Sequence, residues 1–222
     1  MLIVRSSCAA ARTALVVAAV LLVTGGVARA QDAPSRIGPL AVDGRFVFAS
    51  YGPTADQAAA IGYLDTDLPS HGFGFDVGAH WYPVKFGAIT LGLGGNMMLS
   101  KGHKESTDEK GEPTGNVADT RFRTLASQVS INFGGGYGWS YLSGGIGYST
   151  FAISNEWFPG PTSLPRRRTF NYGGGGRWEL RKHIAVSLDF RFYKLAAQEA
   201  TEGLAADPAS TRFVLSAGVA FK

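Results

Sequence analysis

After residue 30 the sequence contains no cysteine, because Cys8 is the only one in the chain. This part of the chain therefore forms no disulfide and is held together by its own packing and hydrogen bonds. The same region also lacks an apolar run long enough to form a transmembrane helix. Any part of it that spans a membrane must therefore do so with strands.

An excess of charge of one sign is also missing. The chain has 21 basic and 17 acidic residues, and three of the basic ones, Arg5, Arg12 and Arg29, fall within the first 30 positions. The remainder carries 18 basic against 17 acidic residues, which gives no reason to expect a nucleic-acid partner. The 30 glycines follow no strict period, which excludes collagen and simple low complexity. Glycines scattered among apolar positions are typical of strands that bend around a curved sheet.

The first 30 residues have the features of a secretory signal peptide. Arg5 and Arg12 precede an apolar run at 14–23, and the small residues Ala28 and Ala30 bracket Arg29. This pattern predicts cleavage between Ala30 and Gln31. Cys8 precedes the apolar run, so lipid attachment at that cysteine is not expected.

Eight segments with alternating hydrophobicity follow the signal peptide. In the clearest one, Phe73, Phe75 and Val77 share one face, while Asp76 and His80 share the other. A period of two residues is the signature of a strand with one apolar face. The predicted strands are 41–51, 71–82, 87–99, 121–133, 139–151, 169–180, 184–195 and 211–221.

The connections between these segments alternate in length. Long polar stretches occupy 52–70, 100–120, 152–168 and 196–210, and short turns occupy 83–86, 134–138 and 181–183. Outer-membrane barrels have this asymmetry, with tight periplasmic turns and long outer loops. The sequence therefore predicts an all-β fold, an eight-stranded antiparallel up-and-down transmembrane β-barrel. The predicted organisation is a signal peptide at 1–30, a short periplasmic segment at 31–40 and an outer-membrane barrel at 41–222.

Aromatic residues gather near the ends of the predicted strands, as the two aromatic girdles of a membrane barrel require. The periplasmic girdle is predicted to contain Trp81, Tyr82, Phe86, Phe133, Trp139 and Phe221. The outer girdle is predicted to contain Phe122, Phe151, Trp157, Phe158 and Phe170.

The charged face of the strands is expected to line the interior. An arginine near the bilayer midplane on the lipid side would cost about 2–4 kcal/mol. The predicted interior polar network consists of Arg45, Asp76, Gln128, Arg177, Glu179, Asp189 and Arg191. A hairpin turn near Lys182 would place Arg177 close to Asp189, and Glu179 close to Ser187. The facing of 139–151 stays open, because Leu142, Ile146 and Tyr148 alternate out of step with Trp139, Tyr141 and Phe151 unless a bulge intervenes.

The signal peptide, the eight segments and the final strand ending in Phe221 resemble the small outer-membrane β-barrel family of the OmpA transmembrane domain and OmpX-type proteins. The resemblance covers nearly all of 41–222. It implies location in the bacterial outer membrane and insertion by the barrel-assembly machinery, with Phe221 as the assembly signal. Lys222 departs from the family pattern, in which the aromatic residue is terminal.

No catalytic residue, cofactor site or metal site is expected. The resemblance to lipid A deacylases would require a His-x-Ser pair, since the serine needs its base within hydrogen-bond reach. No serine stands two positions after any of the four histidines, His71, His80, His103 and His183. The glycine runs 134–136 and 173–176 match no phosphate-binding pattern, and loop 100–120 lacks the order of a calcium-binding loop.

One basic run remains as a candidate contact with a partner. Arg166, Arg167 and Arg168 would stand at the outer rim beside the phosphates of lipopolysaccharide, and arginine pairs well with phosphate. The leading hypothesis is a non-enzymatic barrel with a structural or surface-interaction role through its outer loops. The alternatives are a narrow porin-like channel for small solutes and a lipid-modifying enzyme.

Overall fold

The computed structural model describes residues 37–52, 55, 58, 64–107, 112–134, 137–155, 166–199 and 208–222. The predicted signal peptide at 1–30, most of the segment 31–40, and the predicted girdle residues Trp157 and Phe158 lie outside the described residues. Among the residues that are described, no helix has the length and apolar character needed to cross a bilayer.

Eight antiparallel strands form a closed barrel in which each strand pairs with its neighbours in sequence. The first and last strands close the ring, with Val42 opposite Phe221 and Ser50 opposite Phe213. Closure leaves no edge strand, so the hydrogen bonds between strands satisfy the backbone polar groups, for which lipid offers no partners. The strands are β1 (Leu40–Ser50), β2 (His71–Phe86), β3 (Ile89–Thr107), β4 (Pro113–Gly134), β5 (Gly138–Asn155), β6 (Arg167–Arg181), β7 (Ile184–Leu195) and β8 (Ser210–Phe221).

Alternation along each strand produces an apolar outer wall and a buried interior. On β4, Leu125, Val129 and Ile131 are exposed, whereas Thr124 and Gln128 are buried. The same parity resolves the facing of β5. Its pairing with β4 and β6 has a regular register, so the bulge that would have reconciled its two apolar sets is absent. Instead one set faces out (Leu142, Ile146, Tyr148) and the other faces in (Trp139, Tyr141), with Phe151 half-buried.

The connections differ in length at the two ends, which we call the turn end and the loop end. At the turn end β2 joins β3, β4 joins β5, and β6 joins β7 through a few residues each. The turn predicted at 83–86 was wrong, because β2 continues to Phe86 and a register shift between Trp81 and Val84 accommodates Pro83. The turn itself lies at Gly87, whose φ of 56° suits a residue without Cβ.

The predicted polar loop 100–120 is mostly a hairpin. Strand β3 continues to Thr107 and β4 begins at Pro113, so the ladder extends well beyond the last pairs of β1 and β2. The period of two residues did not predict these strand extensions, because a strand exposed to solvent needs no apolar face. Side chains such as Lys101, Lys104 and Glu105 are exposed there.

Candidate functional site

The middle of the barrel interior is filled by charged side chains bound to one another. Arg45 lies opposite Asp76 in the β1–β2 ladder. Its Nε and Nη2 donate to Oδ2 of Asp76 at 3.0 and 2.5 Å, and its Nη1 donates to the Tyr141 hydroxyl at 3.2 Å. Tyr141 in turn donates to Oδ2 of Asp189 at 2.8 Å. Strands β1, β2, β5 and β7 are thereby joined across the lumen.

A second arginine occupies the same level. Arg191 donates from Nη2 to Oδ2 of Asp189 at 3.0 Å and to the Ser143 hydroxyl at 2.8 Å. Its Nη1 donates to Oδ1 of Asn171 at 2.8 Å. The side chain is 2 % exposed, so its charge depends on these partners rather than on water.

The third arginine lies closer to the turn end. Nε and Nη2 of Arg177 donate to the two carboxylate oxygens of Asp43 at 2.8 and 2.6 Å, which is a bidentate pair. Its Nη1 donates to the Tyr82 hydroxyl at 3.2 Å, and the guanidinium carbon lies 4.5 Å from the centre of the Tyr141 ring. Nδ1 of His80 lies 3.7 Å from Oδ2 of Asp43.

Amide side chains connect these groups around the ring. Asn96 donates to Oδ1 of Asp76 at 2.6 Å and to the Tyr193 hydroxyl at 3.0 Å. Gln128 donates from Nε2 to Oδ1 of Asn96 at 2.7 Å, and its Oε1 accepts from Nε2 of His80 at 3.2 Å. We call the whole set the lumenal network: Asp43, Arg45, Asp76, His80, Asn96, Gln128, Tyr141, Asn171, Arg177, Asp189 and Arg191. Its three arginines balance its three aspartates.

Apolar and aromatic side chains close the lumen on both sides of this network. Toward the loop end lies a cluster that we call the upper cluster: Val47, Ala49, Tyr51, Met98, Phe122, Tyr193, Leu195 and Val214, with Phe151 packed against it. Toward the turn end lies the lower cluster: Ala41, Tyr82, Trp139 and Tyr141, with Ile37 packed against it. Lys222 lies at this lower mouth, where it contacts Glu179 and lies 5.7 Å from the centre of the Trp139 ring.

These clusters correct part of the predicted girdles. Phe122, Trp139 and Tyr82 are 0, 4 and 7 % exposed and point into the lumen, not toward lipid. Their positions in the strands already grouped them with polar interior residues. Phe122, for example, lies two residues before Thr124 and therefore shares its face. Phe151 is half-buried against the upper cluster. Outward aromatic residues do line the rims, among them Trp81, Phe86, Phe133, Phe170 and Phe221.

The predicted pairing within the β6–β7 hairpin was wrong by two positions. Arg177 lies opposite Ser187, Gly175 lies opposite Asp189, and Glu179 lies opposite Ala185. Arg177 and Ser187 lie five residues to either side of Lys182, so equal counting from that turn residue gives the observed pair. Of the predicted interior residues, Arg45, Asp76, Gln128, Arg177, Asp189 and Arg191 lie in the lumenal network, whereas Glu179 lies at the lower mouth. The predicted set did not include Asp43, His80, Asn96, Tyr141 or Asn171, although alternation placed Asp43, His80 and Asn171 on the polar face.

The three consecutive arginines point in different directions. Arg166 and Arg168 are exposed. Arg167 is 4 % exposed, and its guanidinium donates to the carbonyl oxygens of Ala196 and Pro208 at 2.7 and 2.9 Å. Strand alternation explains this arrangement, because β6 begins at Arg167 and adjacent residues face opposite sides.

The four histidines are dispersed over the barrel. His80 is in the lumenal network, His71 and His103 are exposed near the loop end, and His183 lies at the turn end. In the described part of the chain, no group of three or more His, Cys, Asp and Glu side chains is arranged to hold a metal. The glycine run 173–176 lies in β6 and pairs with both neighbouring strands.

Several solved structures superpose on this chain, and the one with a TM-score above 0.5 shares its fold. Neisserial surface protein A superposes with a TM-score of 0.52 at 12% identity, over 86% of this chain and 99% of that chain. Ail, the attachment invasion locus protein of Yersinia pestis, in complex with the heparin analogue sucrose octasulfate, gives 0.46 at 12% identity, over 82% and 95%. OprG from Pseudomonas aeruginosa gives 0.44 at 10% identity, over 82% and 94%.

No curated protein matches the sequence. The family described as outer membrane protein beta-barrel domain matches residues 16–221, which is nearly the whole chain. The closed eight-stranded ring, the apolar outer wall and the charged interior agree with that match. The chain therefore belongs to the outer membrane protein β-barrel family.

Proposed function

We propose that this protein is a non-enzymatic outer-membrane barrel with a structural and surface-interaction role, carried out by the part of the chain at the loop end. The observation that supports the proposal most strongly is the filled lumen. Every charged group of the lumenal network has a partner of opposite charge, and aromatic clusters pack above and below it. A barrel of eight strands is narrow enough for side chains to fill it.

The glycines facing the lumen leave room for other side chains rather than for solutes. A Cβ at Gly175 would lie 2.8 Å from the Tyr141 hydroxyl oxygen and 2.1 Å from the Leu188 carbonyl oxygen. The small residue is therefore needed for the close approach of Tyr141. This packing argues against the narrow porin-like channel, in which glycine-rich strands would leave a polar path beside Arg45, Arg177 and Arg191.

The loop end offers the surface for interaction. The β3–β4 hairpin extends past the other strands, and Ala118 packs with Ala58, Leu68 and the half-buried Ile153 in a small apolar cluster. Lys104 on the hairpin donates to the backbone oxygen of Thr66, and His103 pairs with Asp119 at 2.8 Å. The hairpin thus contacts the connection between β1 and β2, and it presents polar side chains outward. In outer-membrane barrels this end faces the exterior.

The experiment that tests this proposal is single-channel recording of the protein purified from membranes and inserted into planar bilayers. We expect no steady conductance. Large, stable openings whose ion selectivity changes in the Arg177→Gln or Arg191→Gln variant would overturn the proposal and establish the channel. Mass spectrometry of lipid A from cells with and without the protein tests the lipid-modifying alternative, for which we expect identical spectra.

We also propose that Phe221 acts as the assembly signal for the barrel-assembly machinery. Phe221 is 52 % exposed on the outer wall and lies at the seam, opposite Val42 of β1 and Ile184 of β7. An aromatic side chain there is accessible to another protein before the barrel closes.

A further inference from the structure

Exposed cations follow directly after the apolar wall at the loop end of two pairs of adjacent strands, β3 with β4 and β6 with β7. On β3, Lys101 follows the outward-facing Leu99, and on β7, Lys194 follows the outward-facing Phe192. The exposed cations at this height are Lys101 on β3, Arg121 and Arg123 on β4, Arg168 on β6 and Lys194 on β7. The outward carboxylates on the β3–β4 hairpin, Glu105 and Asp119, lie farther from the wall. Positive charge at this height faces the headgroups of the outer leaflet.

A groove on the outer wall begins at two of these cations. It has a volume of about 680 Å³ and crosses β4, β5, β6 and β7, within the range of roughly 300–1,000 Å³ that ligand sites have. Its apolar lining includes Ile146, Tyr148 and Phe170, and its basic lining consists of Arg168 and Lys194. The groove includes Ser127, a small residue on β4 between the outward-facing Leu125 and Val129.

Strand register places the two cations among the aromatic side chains. Tyr148 lies opposite Arg168 in the β5–β6 ladder, and Phe170 lies opposite Lys194 in the β6–β7 ladder. An apolar trough thus lies on the membrane side of a pair of donors on adjacent strands. Arginine and lysine are the side chains that bind phosphate, arginine with two parallel hydrogen bonds.

We propose that this groove binds the phosphorylated end of lipid A, with a phosphate against Arg168 and Lys194 and one acyl chain along Ile146, Tyr148 and Phe170. The proposal rests on the proposed function, because it takes the loop end as the outer face. Charge complementarity favours lipid A, the phosphorylated lipid of the outer leaflet, as the occupant. Arg166 is exposed nearby, whereas Arg167 takes no part because it faces the lumen.

The test is lipid binding to the detergent-solubilised protein, measured by native mass spectrometry. The probes are diphosphoryl lipid A, the same lipid after removal of its phosphates, and phosphatidylglycerol. We expect diphosphoryl lipid A to bind tightest. The affinity of the Arg168→Gln/Lys194→Gln variant for this lipid should be at least roughly tenfold lower. Hydrogen bonds to charged groups contribute more free energy than neutral ones.

The matched control for charge is Arg181→Gln/Lys182→Gln, which removes two exposed cations at the turn end and should leave binding unchanged. A second variant tests the trough by shape alone. Ser127→Leu fills the groove and should weaken binding, while Ser140→Leu, an exposed outward serine near the turn end, should not.

Two results would overturn the proposal. One is equal affinity of the Arg168→Gln/Lys194→Gln variant and its turn-end control. The other is equal affinity for phosphatidylglycerol and diphosphoryl lipid A, which would leave only an unspecific basic rim. Either result is independent of conductance, so failure of the lipid site is distinguishable from failure of the proposed function.

Discussion

Arg177 on β6 reaches across the lumen to Asp43 on β1, and two of its nitrogens lie 2.8 and 2.6 Å from the two carboxylate oxygens. The two residues are 134 positions apart in the sequence and are 1 and 0 % exposed. A bidentate pair at this depth fixes β6 relative to β1 on opposite sides of the seam between β8 and β1. It also fills the lumen just above the lower cluster.

Breaking this pair should destabilise the barrel strongly. Asp43→Asn leaves the buried Arg177 charge without its carboxylate, and loss of one partner of a buried ion pair costs about 3–5 kcal/mol. We expect a decrease of that order in the free energy of unfolding, measured by urea titration in lipid vesicles. The double variant Asp43→Asn/Arg177→Met should recover part of the loss. An unchanged unfolding midpoint in Asp43→Asn would contradict the structure.

Gly175→Ala should also destabilise the barrel, because the added Cβ would overlap the Leu188 carbonyl and the Tyr141 hydroxyl. Overpacking of this kind costs about 1–3 kcal/mol. Gly44→Ala is the matched control, since a Cβ there meets nothing within 4 Å. The same urea titration should separate the two variants. Equal stability would mean that Gly175 is not needed for the approach of Tyr141.

Arg167→Met should loosen the connection between β7 and β8 at its base, because Arg167 donates to the carbonyls of Ala196 and Pro208. Proteinase K added to intact cells should cleave Arg167→Met faster between these strands. The neighbouring Arg168→Met removes an exposed arginine from the same run and should be cleaved at the normal rate. Identical cleavage of both variants would remove the structural role of Arg167.

Phe221→Ala should lower the amount of folded barrel in the outer membrane, if Phe221 is the assembly signal. Phe86→Ala is the control, because Phe86 is also an exposed aromatic residue at the turn end. The folded fraction is measured from the heat-dependent shift in electrophoretic mobility of membrane extracts. A folded fraction that falls equally in both variants would point to loss of girdle contacts rather than of a signal.

Local patterns predicted the parts of the fold that depend on one strand at a time. The period of two residues placed Leu125 and Gln128 on opposite faces of β4, as the structure does. The same rule applied strictly would have placed Phe122 and Trp139 inside, but their aromatic character suggested the girdles instead. The alternation of residues along a strand therefore predicted the facing of a side chain better than its aromatic character near a strand end did.

Contacts between distant strands could not be predicted in the same way. The prediction paired Arg177 with Asp189, although Ser187, which lies as far after Lys182 as Arg177 lies before it, is the residue opposite Arg177. The actual partner, Asp43, is brought near by the stagger of all eight strands around the ring, which no single hairpin reveals. The groove beside Arg168 and Lys194 likewise depends on register across β4, β5, β6 and β7.

The central claim is that the lumen is closed to water-soluble molecules, and cysteine labelling tests it most directly. Ser216 is 3 % exposed on the lumenal face of β8, and Ser70 is exposed at the loop end. A charged thiol reagent should leave the folded Ser216→Cys variant unmodified, label it after unfolding in urea, and label Ser70→Cys at once, with the parent protein as background. Labelling of folded Ser216→Cys as fast as that of Ser70→Cys would contradict the account.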